Sequence, residues 1–253
     1  MNLDRLRRET SLSHVEHHAS LTSTNDRARE LAAGLTTGAT ALVVADEQTA
    51  GRGRGANRWW TGPGSLAFSF VFDPQTHGIR RETSPLVSLA AALAVIETVQ
   101  SLVPPSPLGL HWPNDVFAAG RKLSGILVEA QPDGRHVVGI GLNVNNRTSA
   151  APVELQSRVT SLADLSGSAH DRTDVLVALV VQLQKHLTDL AADSAELARR
   201  ADRACLQHGQ PLTIEIGQRR TTGWCAGIAD DGALILRTSS GTERFYSGAL
   251  VHE

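Results

Sequence analysis

Three prolines, Pro104, Pro105 and Pro107, stand directly after the longest helical pattern in the first half of the chain and forbid its continuation. Between Pro85 and Val103 the apolar residues Leu86, Leu89, Leu93, Ile96 and Val103 fall near helical spacing, which predicts a helix with one face on a core. Proline has no backbone N–H and its ring collides with the preceding turn, so the helix ends there. Short strands are then expected at 108 to 112 and 115 to 118, and longer ones at 122 to 131 and 135 to 145. Pro132-Asp133-Gly134 has the residues of a tight turn, so the last two strands form a hairpin and run antiparallel. The middle of the chain is thereby committed to a helix on a mainly antiparallel sheet, an α+β arrangement.

Other segments extend this picture. Residues 24 to 34 read as a helix with Ser23 or Thr24 as N-cap, Leu31 on the buried side and Gly34 as the stop. Residues 41 to 46 read as a buried strand, and Ser65 to Phe72 alternate as a strand covered on one face. Two helices rich in Ala, Leu and Val are expected at 172 to 191 and 194 to 206. From Pro211 onward short β-like segments are separated by Gly217, Gly223, Asp231-Gly232 and Gly241, which suggests a small five-stranded barrel. The division expected is 1–207 and 208–253.

With 41% hydrophobic residues, 253 positions can bury a sizeable core. The formal net charge of −2 gives no overall field for DNA or an anionic membrane, so any basic patch must be local. No run of 18 or more apolar residues occurs, and Met1 to Thr10, carrying Arg5, Arg7 and Arg8, lacks the apolar core of a signal peptide. A cytoplasmic protein without membrane partners is expected. Cys205 and Cys225 are too few for a disulfide framework and lack metal-ligand spacing, so both are expected to be reduced and structural. Asn146-Arg147-Thr148 matches a glycosylation pattern, but without a secretory route the match is incidental.

The chemistry concentrates in five short motifs. Gly51-Arg52-Gly53-Arg54-Gly55-Ala56-Asn57-Arg58-Trp59 follows an apolar run and suits an anion: glycines let backbone N–H groups turn inward, and arginine forks match phosphate oxygens. Lys122-Leu123-Ser124-Gly125-Ile126-Leu127-Val128-Glu129 places one lysine and one glycine in a strand. His111-Trp112-Pro113-Asn114-Asp115, Gly139-Ile140-Gly141-Leu142-Asn143 and Ser23-Thr24-Asn25 complete the set. Gly139-Ile140-Gly141 opens no helix, which excludes a Rossmann site, and no segment ends in the Gly-Lys-Ser/Thr of a P-loop. A nucleotide, if bound, is held by another design. His14, His17 and His18 lie three and four apart, but no third ligand type follows them.

The order of these motifs resembles a biotin protein ligase, over roughly residues 15 to 250. The resemblance implies a catalytic domain like those of class II aminoacyl-tRNA synthetases and biotin ligases, followed by an SH3-like β-barrel. It implies activation of biotin with ATP and Mg²⁺ to biotinyl-5′-AMP, then transfer to a lysine of a biotin carboxyl carrier protein domain. Lys122 and Arg54 would be catalytic. Ser23, Thr24, Asn25, Gln48, Gly125, Leu127 and Gly139 would bind biotin, and Arg52, Gly53, Arg54, Trp59, Asn114 and Asn143 the nucleotide. Asp115 would arrange Mg²⁺ through the phosphates, and Glu129 would orient Lys122 or a neighbouring strand. A monomer or homodimer is implied. Only about 20 residues precede Ser23, too few for an appended winged helix-turn-helix, so the short form without DNA regulation is expected.

Two departures stand out: many members have Gly-Arg-x-Trp where this chain has Ala56-Asn57-Arg58-Trp59, and lysine is usual where His111 stands. A lipoate or octanoate ligase or transferase shares the fold and the lysine, though usually not the arginine loop joined to Trp-Pro-Asn-Asp. An RNA-binding module needs aromatic platforms, and aromatics make up only 4% of this chain.

Overall fold

The structure, a computed structural model, describes residues 1–251. Positions 252 and 253 of the expected C-terminal unit lie outside the described residues. The elements run α1 (Leu3–Glu9), β1 (His14–Leu21), α2 (Thr24–Ala32), β2 (Ala41–Gln48), β3 (Leu66–Phe72), α3 (Val87–Gln100), β4 (Leu108–His111), β5 (Asp115–Ala118), β6 (Arg121–Ala130) and β7 (His136–Leu142). There follow α4 (Val153–Gln156), α5 (Leu162–Ser166), α6 (Arg172–Ala192), α7 (Ser194–Arg203), β8 (Pro211–Ile216), β9 (Arg219–Ile228), β10 (Leu234–Thr238), β11 (Gly241–Phe245) and β12 (Ala249–Val251).

Seven strands form one sheet in the order β1-β2-β3-β7-β6-β5-β4, antiparallel except for the β1–β2 pair. One face packs on α3, with α6 and α7 behind it, and the other face carries α2. This corrects the expectation for Ser65 to Phe72. Every residue of β3 is buried, because Phe68, Phe70 and Phe72 enter the main core while Val71 packs under Ala28 and Ala32 of α2. Polar-apolar alternation failed there because Ser69 is polar yet bonded within the interior.

Other boundaries move as well. The first-half helix begins as a 3₁₀ turn, Arg81–Leu86, and α3 ends at Gln100 before the prolines. The helix expected at 24 to 34 ends at Ala32, and its fully buried residues include Ala28 and Ala32 while Leu31 is only partly covered. The last strand of the hairpin stops at Leu142, leaving Asn143 outside the ladder. α1, β1 and the short helices between 148 and 166 have no counterpart in the sequence reading. The helices Arg81–Gln100 and Arg172–Ala192 are long and apolar enough to cross a bilayer by composition, yet 67% of the apolar window of the first and 50% of that of the second are buried inside the protein.

β8 to β12 form a second, antiparallel sheet in the order β11-β10-β9-β8-β12. It is pinned to the first. Trp112 donates from its indole Nε1 to the Gly232 carbonyl at 3.1 Å, and Ile228 N–H donates to Asp202 at 2.7 Å. Cys205 and Cys225 are buried and free at this junction.

Candidate active site

Strand register creates the site. On the α2 face a row of small residues crosses the sheet, Ala45 opposite Ala67, Ala67 opposite Gly141, Gly141 opposite Gly125, and Gly125 opposite Asp115. The next row is Val43, Ser69, Gly139 and Leu127. Where side chains are this short the sheet surface sinks, and a cavity of about 710 Å³ opens over it. The residues named from the sequence for catalysis, biotin, nucleotide and Mg²⁺ all line this cavity, Ser23, Thr24, Asn25, Gln48, Arg52, Gly53, Arg54, Trp59, Asn114, Asp115, Lys122, Gly125, Leu127, Gly139 and Asn143, whereas Glu129 lies outside its lining.

At one end the start of α2 lies on the sheet. Thr24 donates from its backbone N–H (2.8 Å) and its hydroxyl (3.1 Å) to Gln48 Oε1. The Ser69 hydroxyl lies 2.8 Å from Thr24 Oγ1 and 2.6 Å from Asn25 Oδ1. A Cβ at Gly139 would collide with Asn25 Oδ1, so glycine is what lets the asparagine lie against the strand. Ser69 was missed in the sequence. Its signal was a hydroxyl amid Leu66, Phe68, Phe70 and Phe72, in a strand otherwise free of polar groups.

The arginine-glycine loop closes over the trough as a small hairpin. Arg52 bridges Arg58, Gly53 N–H donates to the Asn57 carbonyl at 2.8 Å, and Trp59 N–H donates to the Gly51 carbonyl at 3.0 Å. Gly55 turns the tip with φ of 61°. Backbone bonds close the loop, so the asparagine at 57 leaves the hairpin intact. Trp59 lies in the trough itself: a Cβ at Gly125 would meet its ring at 3.1 Å, and one at Gly141 would overlap it.

At the other end stand the cations. Lys122 Nζ lies 2.6 Å from Asp115 Oδ2 and 5.8 Å from the centroid of the Trp59 ring. Its strand start is fixed from a distance, by Lys122 N–H donating to the Arg158 carbonyl at 2.8 Å and its carbonyl accepting from Thr160 at 2.9 Å. Arg54 donates to Asn114 Oδ1 at 3.1 Å and to the Gly248 carbonyl at 3.5 Å, and among the described residues it forms no salt bridge. Burial pushes its guanidinium below the usual range, against the opposing pull of Asp115. Asn114 in turn donates to the Ile126 carbonyl at 2.7 Å, bracing the turn after the cis Trp112–Pro113 bond. Asn143 turns inward, donating to the Thr160 carbonyl and accepting from Asn146, both at 2.9 Å.

One expectation is corrected. Glu129 does not meet Lys122, because Lys122 is paired with Asp115, and the glutamate instead binds Asn25 and Arg52. The three histidines lie on a strand rather than a helix, so His14 and His18 flank Glu16 while His17 pairs with Asp46 at 3.0 Å. No cluster of metal-binding side chains exists among the described residues. His111 lines the cavity, stacked on Phe117 at 4.5 Å between centroids. Arg158, Leu155 and Gly248 to Leu250 also line it; these came from segments without a motif.

A glycine-floored cavity with hydrogen-bonding groups at one end and partly buried cations at the other is the arrangement suited to enzymes that activate a carboxylic acid with a nucleotide. Residues 18–145 match the Biotin/lipoate A/B protein ligase family, and residues 208–252 match the Biotin protein ligase C terminal domain. The Biotin--[acetyl-CoA-carboxylase] ligase of Mycobacterium tuberculosis is 35% identical over 83% of this chain and 78% of its own length. That of Paracoccus denitrificans is 34% identical over 87% and 93%. The biotin protein ligase of Aquifex aeolicus, solved with biotin and ATP, superposes with a TM-score of 0.83 at 28% identity, covering 96% of this chain and 100% of that one. The chain belongs to the biotin protein ligase family and is an ATP-dependent ligase.

Proposed function

We propose that the cavity residues divide a two-step reaction among them. In the first step a carboxylate oxygen of biotin attacks the α-phosphorus of ATP, the bond to the β-phosphate oxygen breaks, and pyrophosphate leaves. In the second, an acceptor lysine attacks the acyl carbon, AMP leaves and an amide forms. Two anions must approach in step one, so positive charge at the reacting centre is indispensable. The observation that carries this reading is Lys122 and Arg54 in one cavity beside a glycine-floored trough, Arg54 half-buried without a carboxylate of its own among the described residues.

Lys122 stabilises the charge that develops during transfer, and Asp115 holds its ammonium in place. Arg54 and Arg52, with Gly53, Trp59, Asn114 and Asn143, serve the nucleotide half. Ser23, Thr24, Asn25 and Gln48 serve the ureido ring of biotin, over a floor of Gly125, Leu127 and Gly139. Asp115 keeps Oδ1 buried without a partner, an oxygen of the kind Mg²⁺ prefers, and the ion would neutralise phosphate charge. The acceptor is a biotin carboxyl carrier protein domain. Residues 1–207 form the catalytic domain and 208–253 the second domain, in a cytoplasmic protein with its two thiols reduced.

The test is ATP–pyrophosphate exchange with Mg²⁺ and, separately, biotin, lipoate or octanoate. Exchange with biotin alone is expected. Exchange only with lipoate or octanoate would overturn the assignment of the acid, and none with any acid would overturn adenylation.

A further inference from the structure

Glu129 stands near the far end of β6 from Lys122 and faces the arginine-glycine loop. Its two oxygens hold different parts of the site. Oε2 accepts from Asn25 Nδ2 at 2.7 Å, and Oε1 pairs with Arg52 Nη2 and lies 3.7 Å from Arg29. Asn25 sits in the first turn of α2, anchored by Ser69 beside Thr24. Arg52 enters the loop hairpin and also lies 3.5 Å from Asp26.

The loop needs such anchors because it is a thin partition. One side faces the large cavity, and the other faces a cleft of about 450 Å³ lined by Ala50, Gly51, Arg52, Gly53, Leu127 and Glu129. A backbone hairpin hollow on both sides gains little from packing, so its side-chain contacts decide where it lies. Trp59 lies in the glycine trough, Arg54 reaches Asn114 at the cation end, and Arg52 on Glu129 ties the loop to the acid-recognising end.

We propose that Glu129 is a positioning residue which couples the acid-recognising end of the cavity to closure of the loop, one carboxylate fixing Asn25 and Arg52 together. The inference rests on the ligase reading above. A loop loosened at Arg52 would let water reach the mixed anhydride before the acceptor does, so the device guards the intermediate.

The experiment compares the full chain with Glu129→Gln, Arg52→Gln and the double variant. Trypsin cleavage after Arg54 and Arg58 is followed by mass spectrometry without ligand, and pyrophosphate release is followed with biotin and MgATP in the absence of acceptor. Each single variant is expected to be cleaved about two- to fivefold faster, as loss of a partly exposed ion pair implies. Glu129→Gln should also release pyrophosphate repeatedly where the unmodified chain stops near one equivalent. The double variant should be no worse than the worse single one, because both act through one contact. Cleavage and release unchanged in both single variants would overturn the proposal. A parent chain that makes no pyrophosphate with biotin would instead remove the ligase reading, and the ligand-free cleavage rates would still decide whether Glu129 seats the loop.

Discussion

Replacing Lys122 by alanine separates chemistry from stability at a single position. Lys122 and Asp115 are 2.6 Å apart, but their side chains remain 31% and 22% exposed, so the pair stabilises the fold by only about 0.2–1 kcal/mol. A charge contact made in the transition state is worth about 2.7–4 kcal/mol, or 10²- to 10³-fold in rate. Lys122→Ala is therefore expected to lower ATP–pyrophosphate exchange by at least about 100-fold while thermal unfolding moves little. Asp115 also attracts Arg54, and without the lysine it can draw that guanidinium out of place. Asp115→Asn alone and the double variant both lack this pull, so the difference between the two isolates the loss of the ammonium. Near-normal exchange by Lys122→Ala, with a normal biotin KM, would remove the lysine from the mechanism.

Gly141→Ala places a methyl group in the Trp59 ring, and it is expected to expel the indole, speed trypsin cleavage of the loop and cut exchange by about tenfold or more; unchanged cleavage would refute the trough as its seat. Ser69→Ala removes the hydroxyl between Thr24 and Asn25 and is expected to cost about 1–3 kcal/mol of stability and to raise biotin KM with kcat little changed, measured by urea unfolding and steady-state kinetics. The Arg27 guanidinium holds the Glu16 carboxyl at about 2, below its ordinary 4.5, despite the opposing cost of burial. Because the folded-state value is depressed, the stabilisation is complete above pH 4.5 and is lost as pH falls toward 2. The stability gap between the parent chain and Glu16→Gln should thus shrink as pH falls from 4.5 toward 2, and a gap independent of pH across that interval would refute the assignment.

What the sequence disclosed was governed by local rules. Pro104, Pro105 and Pro107 end a helix wherever they stand, and Pro132-Asp133-Gly134 turns a hairpin without help, so α3, β6 and β7 were legible. Of the floor glycines, Gly125 in its strand signals a close approach and Gly139 entered through the resemblance, whereas Gly141, which seats the Trp59 ring, carried no role in the sequence reading. What stayed hidden depends on register between strands distant in sequence. Nothing local places Ala45, Ala67, Gly141 and Gly125 in one row, nor sets Ser69 under Asn25. Glu129 was drawn to Lys122 by sharing its motif, but the strand's length carries it toward the loop.

The bond from Arg54 to the Gly248 carbonyl has a meaning for modular exchange among relatives. Gly248, Ala249 and Leu250 line the cavity, yet they belong to the segment that ends the small sheet. Grafting a C-terminal sheet from one homologue onto the body of another therefore transplants the piece of cavity wall beside Arg54. A chimera joined at the short stretch after α7 would inherit a new neighbour for Arg54 along with its new sheet, and its affinity for ATP would travel with the graft.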